Sequence, residues 1–202
     1  MVRYDYIYHK VLMLYDQMPF IRFPIEPCDM IAALANCEQL TYQQFAEING
    51  CTIQDVIALC QSKSGCTHYD VAKNRYLILW NADGAENNVE GRRRWTKAHE
   101  LGHVVLEHLP PLAEPKLAEN SFQRLTAPEL EFEADRFAAT LLAPAPLYAE
   151  LHILSPQDIR KRFGLSAEAA NNRWTDYHRW IHCHRKTAWE NDIRQIYQRK
   201  KG

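Results

Sequence analysis

In the stretch RRWTKAHELGHVVLEHLPP, from Arg93 to Pro111, two histidines stand four residues apart with a glutamate directly after the first: His99, Glu100 and His103. On a helix, residues four apart differ by about 40° in azimuth and about 6 Å along the axis, so the two imidazoles point the same way and can share one small cation. Glu100 sits about 100° round from His99, beside the ligands rather than among them. A carboxylate there can take a proton from a water polarised by the metal, which is the chemistry of an HExxH helix. Two imidazoles do not complete a metal site, so a third ligand has to come from elsewhere in the chain.

The flanks of the triplet say what approaches it. Trp95, Ala98, Leu101, Gly102, Val105 and Leu106 gather in one arc of roughly 140°, with Lys97, Val104 and His108 mostly opposite and the two histidines at the rim. Gly102 costs a helix interior about 1 kcal/mol against alanine, which makes sense where another backbone must come close. The partner is TAPELEFEADRFAATLLAP. Thr126 with Glu129 forms a capping-box pattern, Pro128 suits a first turn, and Pro144 lies just past the end. Leu130, Ala134, Phe137, Ala138, Leu141 and Leu142 make its apolar arc, flanked by Glu131 and Asp135, while Glu129, Glu133 and Arg136 fall on the far, solvated side. Packing the two arcs together makes Glu131 the third ligand. Glu133 is the rival, and helical phase favours Glu131. Asp135, one turn on, can accept the other ring N–H of a ligating histidine and fix its tautomer.

The elements that must hold these helices follow from periodicity and breakers. Tyr4, Ile7, Tyr8, Val11, Leu12 and Tyr15 repeat at helical spacing up to about Met18, and Pro19, Pro24 and Pro27 then interrupt. Helical patterns follow at Cys28–Ala35, Thr41–Asn49 and Thr52–Gln61. THYD, VAKNR and YLILWN read as strand, turn and strand immediately before the histidine helix. No repeat or flexible linker divides the 202 residues. We expect a single domain: a helical segment 1–64, a strand pair and catalytic core 65–145, and C-terminal helices 146–202.

Composition excludes more than it names. A net charge of -1 and a pI of about 6.7 give no broad basic face for nucleic acid or membrane surfaces. No run approaches a membrane span, and Asp5, His9, Lys10 and Asp16 interrupt any signal-peptide core, so a cytoplasmic protein is expected. The six cysteines include no CxxC pair and are expected to be reduced and mostly buried.

RRRWTKAHELGHVVLEH, ELEFEADRFAATLLAP with its Glu131-x-x-x-Asp135 spacing, and DIRKRFGLSAEAANNRW together resemble the ImmA/IrrE family of gluzincin-type metallopeptidases. SKSGCTHYDVAKNRYLILWN resembles the strand pair that leads into the motif helix there. The likeness runs over roughly residues 40 to 180, and the two ends inherit little from it. It implies an α+β fold, a mostly helical zincin-like domain with a small antiparallel sheet beside the metal cleft. It also implies Zn2+ on His99, His103 and Glu131 with Glu100 as general base. The substrate class it implies is a protein, a helix-turn-helix repressor of a phage, mobile element or stress regulon, which makes the chain an anti-repressor. YLILWN, Tyr76 to Asn81, is the expected edge for an extended substrate, and Tyr148, Tyr76 and His108 are the candidates for the oxyanion donor.

Other segments point elsewhere. FAEINGCTIQDVIAL and IRKRFGLSAEAANNRW have helix-turn-helix spacing, and a DNA-binding or protein-binding regulator with a vestigial peptidase scaffold is the alternative function. Direct nucleic-acid binding is not the expectation, because such helix pairs also serve as scaffold. Arg92, Arg93 and Arg94 read as a solvated helix start. His178, His182, Cys183 and His184 form a candidate second metal cluster without a complete ligand set, and Trp174, Trp180 and Trp189 read as packing residues.

Overall fold

The computed structural model describes residues 2–84, 89–109, 128–183 and 188–202. Among them the chain forms α1 (Tyr4–Gln17), α2 (Pro27–Ala33), β1 (Cys37–Thr41), α3 (Tyr42–Asn49), α4 (Ile53–Cys60), β2 (Gly65–Asp70), β3 (Arg75–Trp80), α5 (Glu90–Val105), α6 (Pro128–Leu142), a 3-10 turn (Ala145–Leu147), α7 (Pro156–Phe163), α8 (Ala167–Cys183) and α9 (Ala188–Lys200). This is a mostly helical α+β fold with a small sheet. None of the described helices is long and apolar enough to cross a membrane.

The sheet order is β1-β3-β2. β2 and β3 form the expected antiparallel hairpin, with Thr67 opposite Ile78 and Asp70 opposite Arg75. The turn closes at Asn74, a residue type that tolerates its φ of 50°. β1 then joins the other side of β3 in parallel, so the sheet is mixed rather than purely antiparallel. CEQLT carries too little apolar alternation to announce itself as a strand. Its presence makes β3 the central strand and overturns the expectation that YLILWN is an open edge: both its sides are paired, and the strand lying next to α5 with an outer side is β2.

Alternation along β3 distributes the core. Tyr76 and Ile78 enter the main cluster with α1, α5 and α6 residues, whereas Leu77 and Leu79 meet Tyr42, Ala46, Val56, Cys60 and Cys66 in a smaller cluster under α3 and α4. A strand covered on both faces reads as a continuous apolar run, and YLILW does. Thr41 and Thr52 each close a capping box, with Gln44 and Asp55, and start α3 and α4. Cys28, Cys37, Cys51, Cys60 and Cys66 are free thiols.

Arg94 departs from the solvated reading of the arginine run. It is 4% exposed and donates to Glu26 (2.8 and 2.6 Å), to Glu90 (2.8 Å) and to the carbonyl of Gly164 (2.6 Å). It thereby ties the first turn of α5 to the loop before α2 and to the end of α7. That fixes the helix on which the histidines stand.

Candidate metal centre

α5 and α6 approach closely where the sequence has Gly102. A Cβ built there would lie 3.0 Å from Phe137 Cδ1 and 3.3 Å from Ala134 Cα, so the two helix backbones come together only because position 102 lacks a side chain. Gly102→Val should therefore lower stability by about 2 kcal/mol, the cost of overpacking, which for a chain this long is roughly 4–8 °C in Tm. It should also weaken metal binding, because the wedge separates the helices that carry the donors. Thermal unfolding together with metal titration checks both, and an unchanged Tm would refute the close-approach argument.

Across this junction His99 Nε2 stands 3.2 Å from Glu131 Oε2, and His103 Nε2 stands 3.7 Å from Glu131 Oε1 and 3.2 Å from His99 Nε2. The three potential ligand atoms lie within 4.8 Å of one another, the one such His/Cys/Asp/Glu group among the described residues. In the other histidine cluster, His182 Nδ1 faces the carbonyl of His178 at 2.6 Å, and His184 lies outside the described residues. Thr126, expected to cap α6, also lies outside them.

Asp135 Oδ1 is 2.9 Å from His99 Nδ1, and a carboxylate can only accept, so this nitrogen carries the proton. Burial opposes charge on His99, but the hydrogen bonds to Asp135 and then Glu131 outweigh it and raise the imidazole to about 10. The site calls for positive charge at its centre. Two imidazole nitrogens and a carboxylate oxygen are the donor types that hold a zinc-like cation, which would take the place of the second imidazolium proton, on His99 Nε2, and leave the Nδ1 proton hydrogen-bonded to Asp135.

Glu100 is 3% exposed, wedged between α5 and β2. Thr67 Oγ1 donates to Glu100 Oε2 at 2.8 Å and lies 3.0 Å from the Glu100 carbonyl oxygen. The contact requires β2 to lie flat on α5, which Gly65 permits: a Cβ there would fall 2.8 Å from Thr96 Cγ2 and 3.2 Å from Glu100 Cγ. Sequence reasoning missed Thr67. Its signal is an alternation that puts Gly65 and Thr67 on one face of β2.

Glu133 was expected in solvent and is not there. It is 2% exposed and accepts from the Arg3 backbone N–H (2.8 Å), Arg3 Nε (3.1 Å) and Arg3 Nη2 (2.6 Å), because the start of α1 docks on that side of α6. Burial alone would raise this carboxyl, but the Arg3 hydrogen bonds, with that from His108, bring it down to about 2.

His108 is also inside. α5 ends in a Schellman turn, with His108 N donating to His103 O at 3.0 Å, Glu107 N to Val104 O at 3.1 Å, and Glu107 at φ 58°. The turn carries the His108 ring back beneath His103, their Nδ1 atoms 3.1 Å apart, and helical phase no longer applies past residue 105. Burial holds the His108 imidazole below its usual range despite Glu133 Oε2 at 3.1 Å. The other oxyanion candidates point away. Tyr148 packs in the core on Phe163 and Tyr177 with its hydroxyl 3.5 Å from Ala143 O, and Tyr76 donates to Leu109 O at 3.3 Å.

Sequence comparison agrees with this architecture. The family described as the IrrE N-terminal-like domain, Peptidase_M78, matches residues 66–175, from β2 through α5 and α6 into α8. No curated protein matches the chain significantly. With the match spanning more than half of the 202 residues, and with the paired helices, strand and His-His-Glu group inside it, this chain belongs to the IrrE N-terminal-like family, a family of metallopeptidase type.

Proposed function

We propose that the chain is a zinc-dependent endopeptidase in which His99, His103 and Glu131 hold the metal and Glu100 is the general base. The observation that carries this reading is the convergence of the three donor atoms within 4.8 Å, next to a buried carboxylate. Held there, zinc would supply a Lewis acid that polarises the scissile carbonyl and makes water more acidic. Glu100 would take a proton from the attacking water on its carboxylate and pass it to the leaving amine nitrogen. Thr67 holds one Glu100 oxygen in place, and Asp135 keeps the His99 ring turned with Nε2 towards the centre. An extended peptide would add to β2, the outer strand lying against Glu100.

The substrate we assign is a helix-turn-helix repressor, which makes the protein a cytoplasmic anti-repressor. Support for this step is membership of the family. The alternative of a DNA-binding regulator finds no basic face on α3 and α4, which contain no Lys or Arg and carry Glu47 and Asp55; in the second segment Arg160, Lys161 and Arg162 close α7, but Arg173 is 6% exposed and donates to the carbonyl of Ala143. Zinc-loaded protein incubated with purified helix-turn-helix repressors from the same genome should cut one of them into two fragments, and a chelator should abolish the cleavage. Repressors left intact across several activating conditions, with zinc bound, would remove the substrate assignment.

A further inference from the structure

We propose that Arg3, at the start of α1, is a positioning residue of the metal centre, acting through Glu133 and His108 to fix the ring of His103 with Nε2 towards the cation. The inference rests on the metal-site reading above and adds to it a residue outside the matched span of 66–175.

The chain of contacts is continuous. Arg3 meets the Glu133 carboxylate with Nη2 at 2.6 Å from Oε2, Nε at 3.1 Å from both oxygens, and its backbone N–H at 2.8 Å from Oε1. Glu133 Oε2 faces His108 Nε2 at 3.1 Å, and His108 Nδ1 faces His103 Nδ1 at 3.1 Å. The side chains of Glu133 and His108 are 3% and 0% exposed, so water does not compete for the bond between them, while the Arg3 side chain that anchors them is 45% exposed.

Proton counting gives the chain a direction. A carboxylate only accepts, so the proton of His108 is on Nε2, and with one proton per ring its Nδ1 presents a lone pair. His103 must then donate from Nδ1, which leaves the Nε2 lone pair directed at Glu131 and His99. The opposite tautomer would put a hydrogen where the cation belongs. Asp135 performs this service for His99 directly, from a carboxylate 57% exposed. His103 receives it through two buried groups, and their anchor is the guanidinium of Arg3. Without the Arg3 guanidinium, Glu133 loses three of its four contacts with Arg3 and has to find donors elsewhere, leaving the position in which it accepts from His108.

The test compares Arg3→Met, which keeps the length and backbone N–H but removes the guanidinium, with Arg3→Lys, His108→Leu and the double variant Arg3→Met/His108→Leu. Zinc affinity is read by chelator competition well below the unfolding transition. Loss of an outer-shell partner costs about 10- to 100-fold in metal affinity, so Arg3→Met, acting through Glu133, should bind zinc about 10-fold more weakly, with partial recovery in Arg3→Lys. Arg3→Met should add nothing to His108→Leu, because its effect passes through that ring. Nitrogen-15 spectra of the metal-free wild type should give His108 as the Nε2–H tautomer with a proton on Nδ1 of His103, and Arg3→Met should mix the tautomers. A lowered Tm with wild-type zinc affinity, or additive losses in the double variant, overturns the role of Arg3 and leaves the metal centre standing. A wild type that takes up no zinc overturns the metal centre itself.

Discussion

Glu100→Gln should keep about one zinc per chain and lose roughly 10^3-fold in turnover, within the 10^2–10^4 that general acid–base catalysis contributes. Gln has the shape of Glu and still offers an oxygen to the Thr67 hydroxyl, which now donates to Glu100 Oε2 at 2.8 Å. None of the three clustered donor atoms belongs to residue 100, so metal affinity should hold. What disappears is the ability to accept a proton from water and return it to the amine. Because the lost interaction belongs to the transition state, kcat and kcat/KM should fall together, with KM little changed. Metal analysis beside steady-state cleavage of a peptide or repressor decides the matter. Full activity with glutamine at position 100 would end the general-base assignment and move the chemistry to another group.

How far the sequence reaches into this site depends on whether a feature is set within one element or between several. Helical phase is local. It places His99, His103, Glu131 and Asp135 on adjoining rims, and the structure brings those four together. Gly102 likewise signals a close neighbour, which is Ala134 on α6. Phase cannot say how many neighbours a helix has. α6 packs against α5 on one side and α1 on another, so Glu133, counted as solvated, is buried on Arg3. Nor does phase survive the end of the helix: Glu107 turns the chain without a glycine to announce it, and His108 arrives under His103. Arg94 finds Glu26 across 68 positions of chain, a pairing no local pattern encodes. The sheet divides in the same way. The hairpin is local and legible, whereas β1 pairs with β3 across two intervening helices and β2, and so moves the open edge from β3 to β2.

Glu131→Ala should abolish stoichiometric zinc, whereas Glu133→Ala should only weaken it, although both are acids on the same helix two residues apart. Zinc held by a full set of protein donors is bound by about 10 kcal/mol or more; one of three donors then accounts for roughly 3 kcal/mol, or more than 100-fold in affinity. Glu131 is the carboxylate whose oxygens lie 3.2 and 3.7 Å from the two imidazole Nε2 atoms. Glu133 is turned the other way, its charge matched by Arg3 and its contact with the centre routed through His108. Its removal leaves all three donors in place and loosens one ring, an effect nearer 10-fold. Zinc per chain after gel filtration separates the two variants without any substrate. Retention of stoichiometric zinc by Glu131→Ala, with loss in Glu133→Ala, would reverse the ligand assignment and require α6 to turn by about half a revolution, which the fit of Phe137 and Ala134 against Gly102 forbids.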